Sequence, residues 1–249
     1  MSGLVVDAVS VEYVRRGASI TALDEVSLTV AEGEIVALVG ESGSGKSTLA
    51  RAVAGLVETA AGTILFDGVA IPTRGRKPVA MVFQDPLGSL DPRLTVAAAI
   101  TEILRVHRLR PRAGERARTA ELLELVGLPP EVAGVRPRYL SGGQQQRVAI
   151  ARALASEPRI LLLDEALSAL DASVRAQMLR LIMELRSRLG IGALFIGHDL
   201  ALVRQLADRV AVLQLGRLVE VSSAEEFFLS PQHPYSRELL AAVPVLRRT

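Results

Sequence analysis

The sequence predicts an α/β protein built on a mostly parallel sheet, with an antiparallel β portion at the N-terminus and a helical lobe inserted between sheet strands. Three observations predict it. Four short apolar runs, 35–39 (IVALV), 79–83 (VAMVF), 160–163 (ILLL) and 193–196 (ALFI), are continuous rather than alternating, as expected of strands buried on both faces of a parallel sheet. Residues 4–11 (LVVDAVSV), 26–30 (VSLTV) and 63–66 (TILF) instead alternate or cluster β-branched side chains, the last running into the turn dipeptide Asp67-Gly68. Between 86 and 155 strand pattern is scarce and helical stretches recur, among them ERARTAELLELVGL, closed by Pro129-Pro130.

Further along, Val174, Met178, Leu181 and Leu185 recur at helical spacing after Asp171, predicting an amphipathic helix of about 18 residues. VAVLQL, a turn at Gly216-Arg217 and LVEV predict a hairpin, followed by a short helix and the tail HPYSRELLAAVP. The expected partition is one domain over 1–249: an α/β core from 1–85 and 156–230, a helical subdomain at 86–155, and a C-terminal tail at 231–249.

Composition narrows the function classes. With 249 residues, 49% hydrophobic and 22% charged, the chain can bury one large core. It has no cysteine, which excludes disulfides, thiolate metal sites and cysteine nucleophiles and makes the cytosol the default setting. Twenty-nine basic residues against 27 acidic ones are scattered, and aromatics make up 3%, so neither a basic patch nor stacking platforms point to nucleic acid. Uncharged runs reach ten residues, at Leu189–His198 and Phe227–Ser236, where a bilayer span needs about 20. The N-terminus lacks the basic and long apolar regions of a secretion signal. A mean hydropathy of +0.33 fits either apolar surface covered by a partner or a core rich in Ala, Val and Leu.

GESGSGKS, comprising Gly40, Glu41, Ser42, Gly43, Ser44, Gly45, Lys46 and Ser47, fits GxxxxGK[ST] and lies between the buried run IVALV and a helix-like segment that begins at Thr48. Glycines let such a loop curl until consecutive N–H groups point inward. Lysine supplies a point charge to β/γ-phosphates, the serine hydroxyl is placed for Mg²⁺, and the helix N-terminus adds its dipole. Only Lys46 and Lys77 are lysines among the 29 basic residues, and one of them stands where a slim ammonium is needed in place of a planar guanidinium. The chain therefore reads as a P-loop protein built to take a triphosphate with Mg²⁺. ILLLD ends a buried strand in Asp164, the pattern that holds Mg²⁺ beside a phosphate loop. Glu165, directly after it, is placed to polarise a water for in-line attack. LSGGQQQR (140–147) puts Ser141 where it can cap a helix and Gly142 and Gly143 where they clear that helix's N-terminus for an anion.

With the phosphate loop and ILLLDE, LSGGQ resembles the signature of ATP-binding cassette (ABC) ATPases, and further family positions follow in order from about Leu4 to Glu220. The resemblance implies the ABC ATPase fold and a head-to-tail dimer in which Ser141, Gly142, Gly143 and Gln144 face the nucleotide of a second ATPase subunit, a sibling or a copy. It implies that Tyr13 stacks on adenine, that Gln84 reaches Mg²⁺ and relays to the membrane partner, that Asp171 belongs to the SALD loop, and that His198 hydrogen-bonds the γ-phosphate. Taken alone, Asp171 would be a helix cap, Tyr13 a strand surface residue and His198 a structural histidine. Ala166 departs from the proline that many relatives carry, which implies a slightly less rigid loop.

FQDPLGSLDPRLTV, DEALSALDASVRAQ, GHDLALVRQLADRV and PQHPYSRELLAAVP together look like the dipeptide, oligopeptide and nickel branch of bacterial ABC importers. This implies an ATPase subunit at the cytoplasmic face of the membrane, acting on integral membrane permease subunits and indirectly served by an extracytoplasmic solute-binding protein. Short peptides are the favoured cargo, with nickel or a nickel chelate second. A soluble ABC ATPase acting on DNA or ribosomes would carry a long coiled coil or two cassettes. A small-molecule P-loop kinase would leave LSGGQ unexplained.

Overall fold

The computed structural model describes residues 2–15, 18–72, 75–109 and 111–242. In chain order the strands are β1 (Gly3–Arg15), β2 (Ala18–Ala31), β3 (Ile35–Val39), β4 (Ala61–Phe66), β5 (Val69–Ala70), β6 (Val79–Val82), β7 (Ile160–Asp164), β8 (Gly192–Ile196), β9 (Arg209–Gln214) and β10 (Arg217–Ser223). The helices are α1 (Lys46–Val53), α2 (Pro86–Ser89), α3 (Val96–Val106), α4 (Arg112–Leu125), α5 (Gly142–Leu154), α6 (Ala172–Leu189), α7 (Leu200–Leu206), α8 (Ala224–Leu229) and α9 (Pro234–Ala241). Short 3₁₀ turns at Pro130–Gly134 and Pro137–Tyr139 join α4 to α5. The chain forms two compact units, Met1–Ala70 with Ala193–Thr249, and Ile71–Gly192.

In the first unit, β2-β1-β4-β5 form an antiparallel sheet. Leu4, Val6, Val9 and Val11 of β1 and Leu23, Val26, Leu28 and Val30 of β2 are all buried, the inward half of the alternation. The β1–β2 register shifts between Val6 and Val11, where Ala8 has a φ of 46° and Glu25 of β2 a φ of 50°. The strands satisfy the displaced amides reciprocally: Ala8 N–H donates to Ser27 Oγ and Glu25 N–H to Ser10 Oγ. β4 can pass the first bulge because position 62 is glycine; a Cβ there would lie 2.3 Å from the Ala8 carbonyl oxygen.

β3 is buried at all five positions and pairs in parallel with both β8 and β9, which is why its run does not alternate. β10 closes this part as an antiparallel partner of β9. The hairpin turn lies one residue earlier than the sequence suggests. Gln214 pairs with Arg217, so the two turn residues are Leu215 and Gly216, with φ of 47° and 82°. A two-residue turn with positive φ at both positions matches the twist of its strands, and this geometry overrides the preference for an apolar residue in the strand; Leu215 is left 85% exposed.

In the second unit β6 and β7 pair in parallel, from Val79↔Ile160 to Val82↔Leu163. Between them run α2 to α5, the helical stretch anticipated for 86–155. Val96, Ala99, Ile100 and Leu104 of α3 and Leu122 and Leu123 of α4 are buried, as are Val148, Ile150, Ala151 and Leu154 of α5. Arg105 of α3 forks onto Glu115 of α4, Nε and Nη2 reaching the carboxylate at 2.6–3.0 Å. The Arg105 hydrogen bond, outweighing burial, holds the Glu115 carboxyl below its ordinary pKa. α6 occupies the 18 residues anticipated, from the Asp171 cap to Gly190, whose left-handed φ of 67° ends it. The short helix expected after the hairpin is α8, and the tail HPYSRELLAAVP, for which no helix was predicted, forms α9 from Pro234; its Val243 and Pro244 lie outside the described residues.

Candidate nucleotide-binding site

Every sequence-derived candidate is among the described residues, and the two units hold separate sets. The first contains Tyr13, Gly40–Thr48 and His198. The loop leaves the buried end of β3 at Gly40 and enters α1 at Lys46. Gly43 and Gly45 have φ of 82° and 109°, which side chains strain to adopt. Room also demands glycine here: a Cβ on Gly40 would stand 2.1 Å from the Leu213 carbonyl oxygen, and one on Gly45 2.6 Å from that of Ala22. The loop is thus wedged between β2 and the β9–β10 hairpin, whose Gly216 N–H donates to the Ser44 carbonyl at 2.9 Å.

Lys46 is curled into the loop. Its side chain is 6% exposed, and Nζ donates to the carbonyl oxygens of Gly40 and Glu41 and to Ser44 Oγ at 2.6–3.3 Å. A buried ammonium demands such acceptors, and here the loop's own backbone supplies them. Helices α5 to α9 each start at a side chain that caps them, whereas α1 starts at Gly45 without one. An eight-residue helix with a glycine-shaped approach and an inward cation is suited to an anion with several oxygens.

His198 is exposed and follows the end of β8; Leu38 pairs with Ile196, so Gly40 and His198 each stand two residues beyond a matched position on adjacent parallel strands. Ligands in open parallel sheets bind at these strand ends. Tyr13, 40% exposed, pairs with Ile20 near the tip of the β1–β2 hairpin, two residues before the Ala22 carbonyl that abuts Gly45.

The second unit contains Gln84, Ser141–Gln144, Asp164, Glu165 and Asp171. Asp164 is buried at the end of β7. Glu165, next to it, has a φ of 48°, a strained conformation for a side-chain-bearing residue. Ser168 steadies this turn, its N–H and hydroxyl both donating to the Glu165 carbonyl at 3.0 and 2.9 Å, and Gln84 Nε2 donates to Ser168 Oγ at 3.4 Å. Gln84, Glu165 and the loop before Asp171 are therefore joined by one hydrogen-bond chain.

Ser141 starts α5 with a reciprocal box, Gln144 N–H to Ser141 Oγ and Ser141 N–H to Gln144 Oε1. Asp171 does the same service for α6, accepting from the Ser173 and Val174 N–H groups and the Ser173 hydroxyl; the Val174 amide foremost keeps its carboxyl below the ordinary range. Gly143 brings the two helix starts together: a Cβ there would lie 2.7 Å from Val174 Cγ1. Among the described residues no group of three His, Cys, Asp or Glu gathers in one place.

Two features were not evident in the sequence. The strain at Glu165 carries no sequence signal, since glutamate does not advertise a positive φ. The other is Tyr235 in α9, whose hydroxyl oxygen accepts from the Glu41 N–H at 2.9 Å; HPYS marked the tail as distinctive without indicating that it touches the loop.

Comparison with known proteins shows which family this arrangement belongs to. The ABC transporter family model matches residues 23–168, and the chain belongs to that family. The glutathione import ATP-binding protein GsiA of Escherichia coli K12 is 50% identical over 231 residues, 90% of this chain, and this chain spans 37% of GsiA's length. A Brucella ovis protein named as a peptide import ATP-binding protein is 45% identical over 97% of this chain and 78% of its own length. Among solved structures, Clostridium perfringens cbiO1, part of the ABC transporter complex cbiONQ, aligns with a TM-score of 0.79 at 29% identity over 92% of this chain and 91% of its own. The ATP-binding cassette MJ0796, a dimer in a post-hydrolysis state bound to ADP and Pi, aligns at 0.77 and 29% identity over 89% of this chain and 98% of its own. The fold is that of an ABC ATPase. No helix among the described residues is long and apolar enough to cross a membrane.

Proposed function

We propose that the chain is the ATP-hydrolysing subunit of an ABC importer for short peptides. It acts at the cytoplasmic face of the membrane on integral membrane permease subunits, paired with a second cassette and indirectly served by a solute-binding protein. The observation that carries the ATPase part is the glycine-shaped loop around Lys46, with a cation and an uncapped helix start facing one turn of backbone. Relatives named for glutathione and for peptides support peptide cargo over nickel.

In this reading the loop amides and Lys46 bind the β/γ-phosphates, Tyr13 stacks on adenine, and Ser47, Asp164 and Gln84 hold Mg²⁺. The metal, when bound, neutralises charge on the phosphate oxygens as a Lewis acid. Glu165 takes the proton of the attacking water, and His198 orients the terminal phosphate by a hydrogen bond. Ser141, Gly142, Gly143 and Gln144, with Asp171 beside them, serve the nucleotide held by the partner cassette. Closure of the pair on ATP moves the permease, and hydrolysis reopens it.

A strain lacking this subunit tests the assignment. Uptake of labelled di- and oligopeptides falls while nickel accumulation stays normal; the reverse pattern would make nickel the cargo, and no change in either would remove the peptide and nickel assignments together.

A further inference from the structure

The C-terminal helix reaches the phosphate loop through one side chain. Tyr235 is 5% exposed, and its hydroxyl oxygen accepts the Glu41 N–H at 2.9 Å. That N–H belongs to the peptide joining Gly40 to Glu41, and the carbonyl of the same peptide, Gly40 O, accepts Lys46 Nζ at 2.8 Å. The Glu41 carbonyl takes Nζ as well, at 2.6 Å, and the Ser44 N–H at 3.2 Å. One peptide plane is therefore held at its N–H by the tail and at its oxygen by the ammonium. An amide whose N–H is hydrogen-bonded is the better acceptor at its carbonyl, so the two contacts reinforce each other.

The tyrosine is itself firmly placed. Glu220 of β10, 9% exposed, accepts the N–H groups of Gln232 and His233 at 3.0 and 2.9 Å. His233 Nδ1 accepts the Tyr235 N–H at 3.2 Å and caps α9, and Ser236 is fully buried beside it. These residues are the HPYS segment and its anchor, to which the proposed ATPase chemistry assigns no role.

We propose that Tyr235 is a positioning residue for the phosphate loop: its hydroxyl fixes the plane of the Gly40–Glu41 peptide and thereby the place of Lys46, so that the C-terminal helix sets part of the affinity for nucleotide. The proposal rests on reading Gly40–Thr48 as the ATP phosphate site. Tyr235→Phe keeps the ring and loses only the acceptor. In the full chain, the MgATP Kd from titration with a fluorescent analogue rises about fivefold, the worth of one neutral hydrogen bond, while kcat stays within about twofold. The Glu41 amide proton resonance moves upfield as its bond is lost. Phe227→Leu, a truncation in the core side of α8, serves as the comparison: it lowers the melting temperature but leaves the Kd within about twofold. Wild-type affinity in Tyr235→Phe, or an equal rise in Kd for Phe227→Leu, overturns the proposal and leaves the ATP site standing. Failure of the wild-type chain to bind MgATP overturns both.

Discussion

Lys46 illustrates how much one side chain in this loop is asked to do. Its ammonium is buried and bound by three loop acceptors, so it shapes the loop, and in the proposed function it is also the charge that meets the phosphates. Lys46→Ala removes the charge and one donor from each of those acceptors. The expected result is loss of high-affinity MgATP binding, about 100-fold or more, in a chain that still folds, checked by titration alongside circular dichroism. Unchanged affinity would mean that the loop is not the phosphate site. Lys46 was legible in the sequence because the motif, the strand before it and the helix after it agreed. Tyr235 was not, because the hydrogen bond it makes joins residues 194 positions apart.

At the scale of elements, helix starts do the positioning, and two predictions follow from their packing. Gly143 allows α5 to approach α6, so Gly143→Ala drives a methyl into Val174 and destabilises the chain by about 1–3 kcal/mol. Val174→Ala in the same chain opens the space and restores most of that loss in a denaturant titration; an additive double mutant would show that the two helices do not meet there. The α3–α4 joint is the other case. Glu115 has its pKa held down in the folded chain by Arg105, so between the folded value and the ordinary glutamate pKa of about 4.3 the unfolded chain binds more protons. The stabilisation is present above that range and is lost as pH falls through the folded value. Glu115→Gln therefore makes the chain less stable at pH 7 and flattens this part of its acid-denaturation profile; a profile parallel to wild type would remove Glu115 from that role.

For the whole molecule, the prediction concerns association. Ser141 and Gly143 stand at a helix start whose proposed nucleotide belongs to another cassette, so binding without turnover should hold two chains together. Glu165→Gln keeps the shape of the side chain and removes the base. Turnover is expected to fall about 100-fold or more with MgATP binding retained, and size-exclusion chromatography with ATP to show a species of twice the mass, with the sibling cassette added if the pair is mixed. Hydrolysis at the wild-type rate would take Glu165 out of the chemistry.

By itself the sequence determined what depends on local pattern: the four continuous apolar strands, the 18-residue helix between an aspartate cap and a glycine stop, the glycine-rich turn from β3 into α1, and the serine that starts α5. Periodicity, capping and loop glycines act within one or two turns of chain, so they can be read in order. Only the tertiary structure decided what depends on non-local geometry. The hairpin turn moved to Leu215-Gly216 because strand register, set by pairing across β9 and β10, chose which residues take positive φ. Gly143 is closely confined because Val174 of another helix stands against it. The tail became part of the surroundings of the Gly40–Ser47 loop because Glu220 anchors it where Tyr235 meets the Glu41 amide, a contact that depends on packing and leaves no trace in any local pattern.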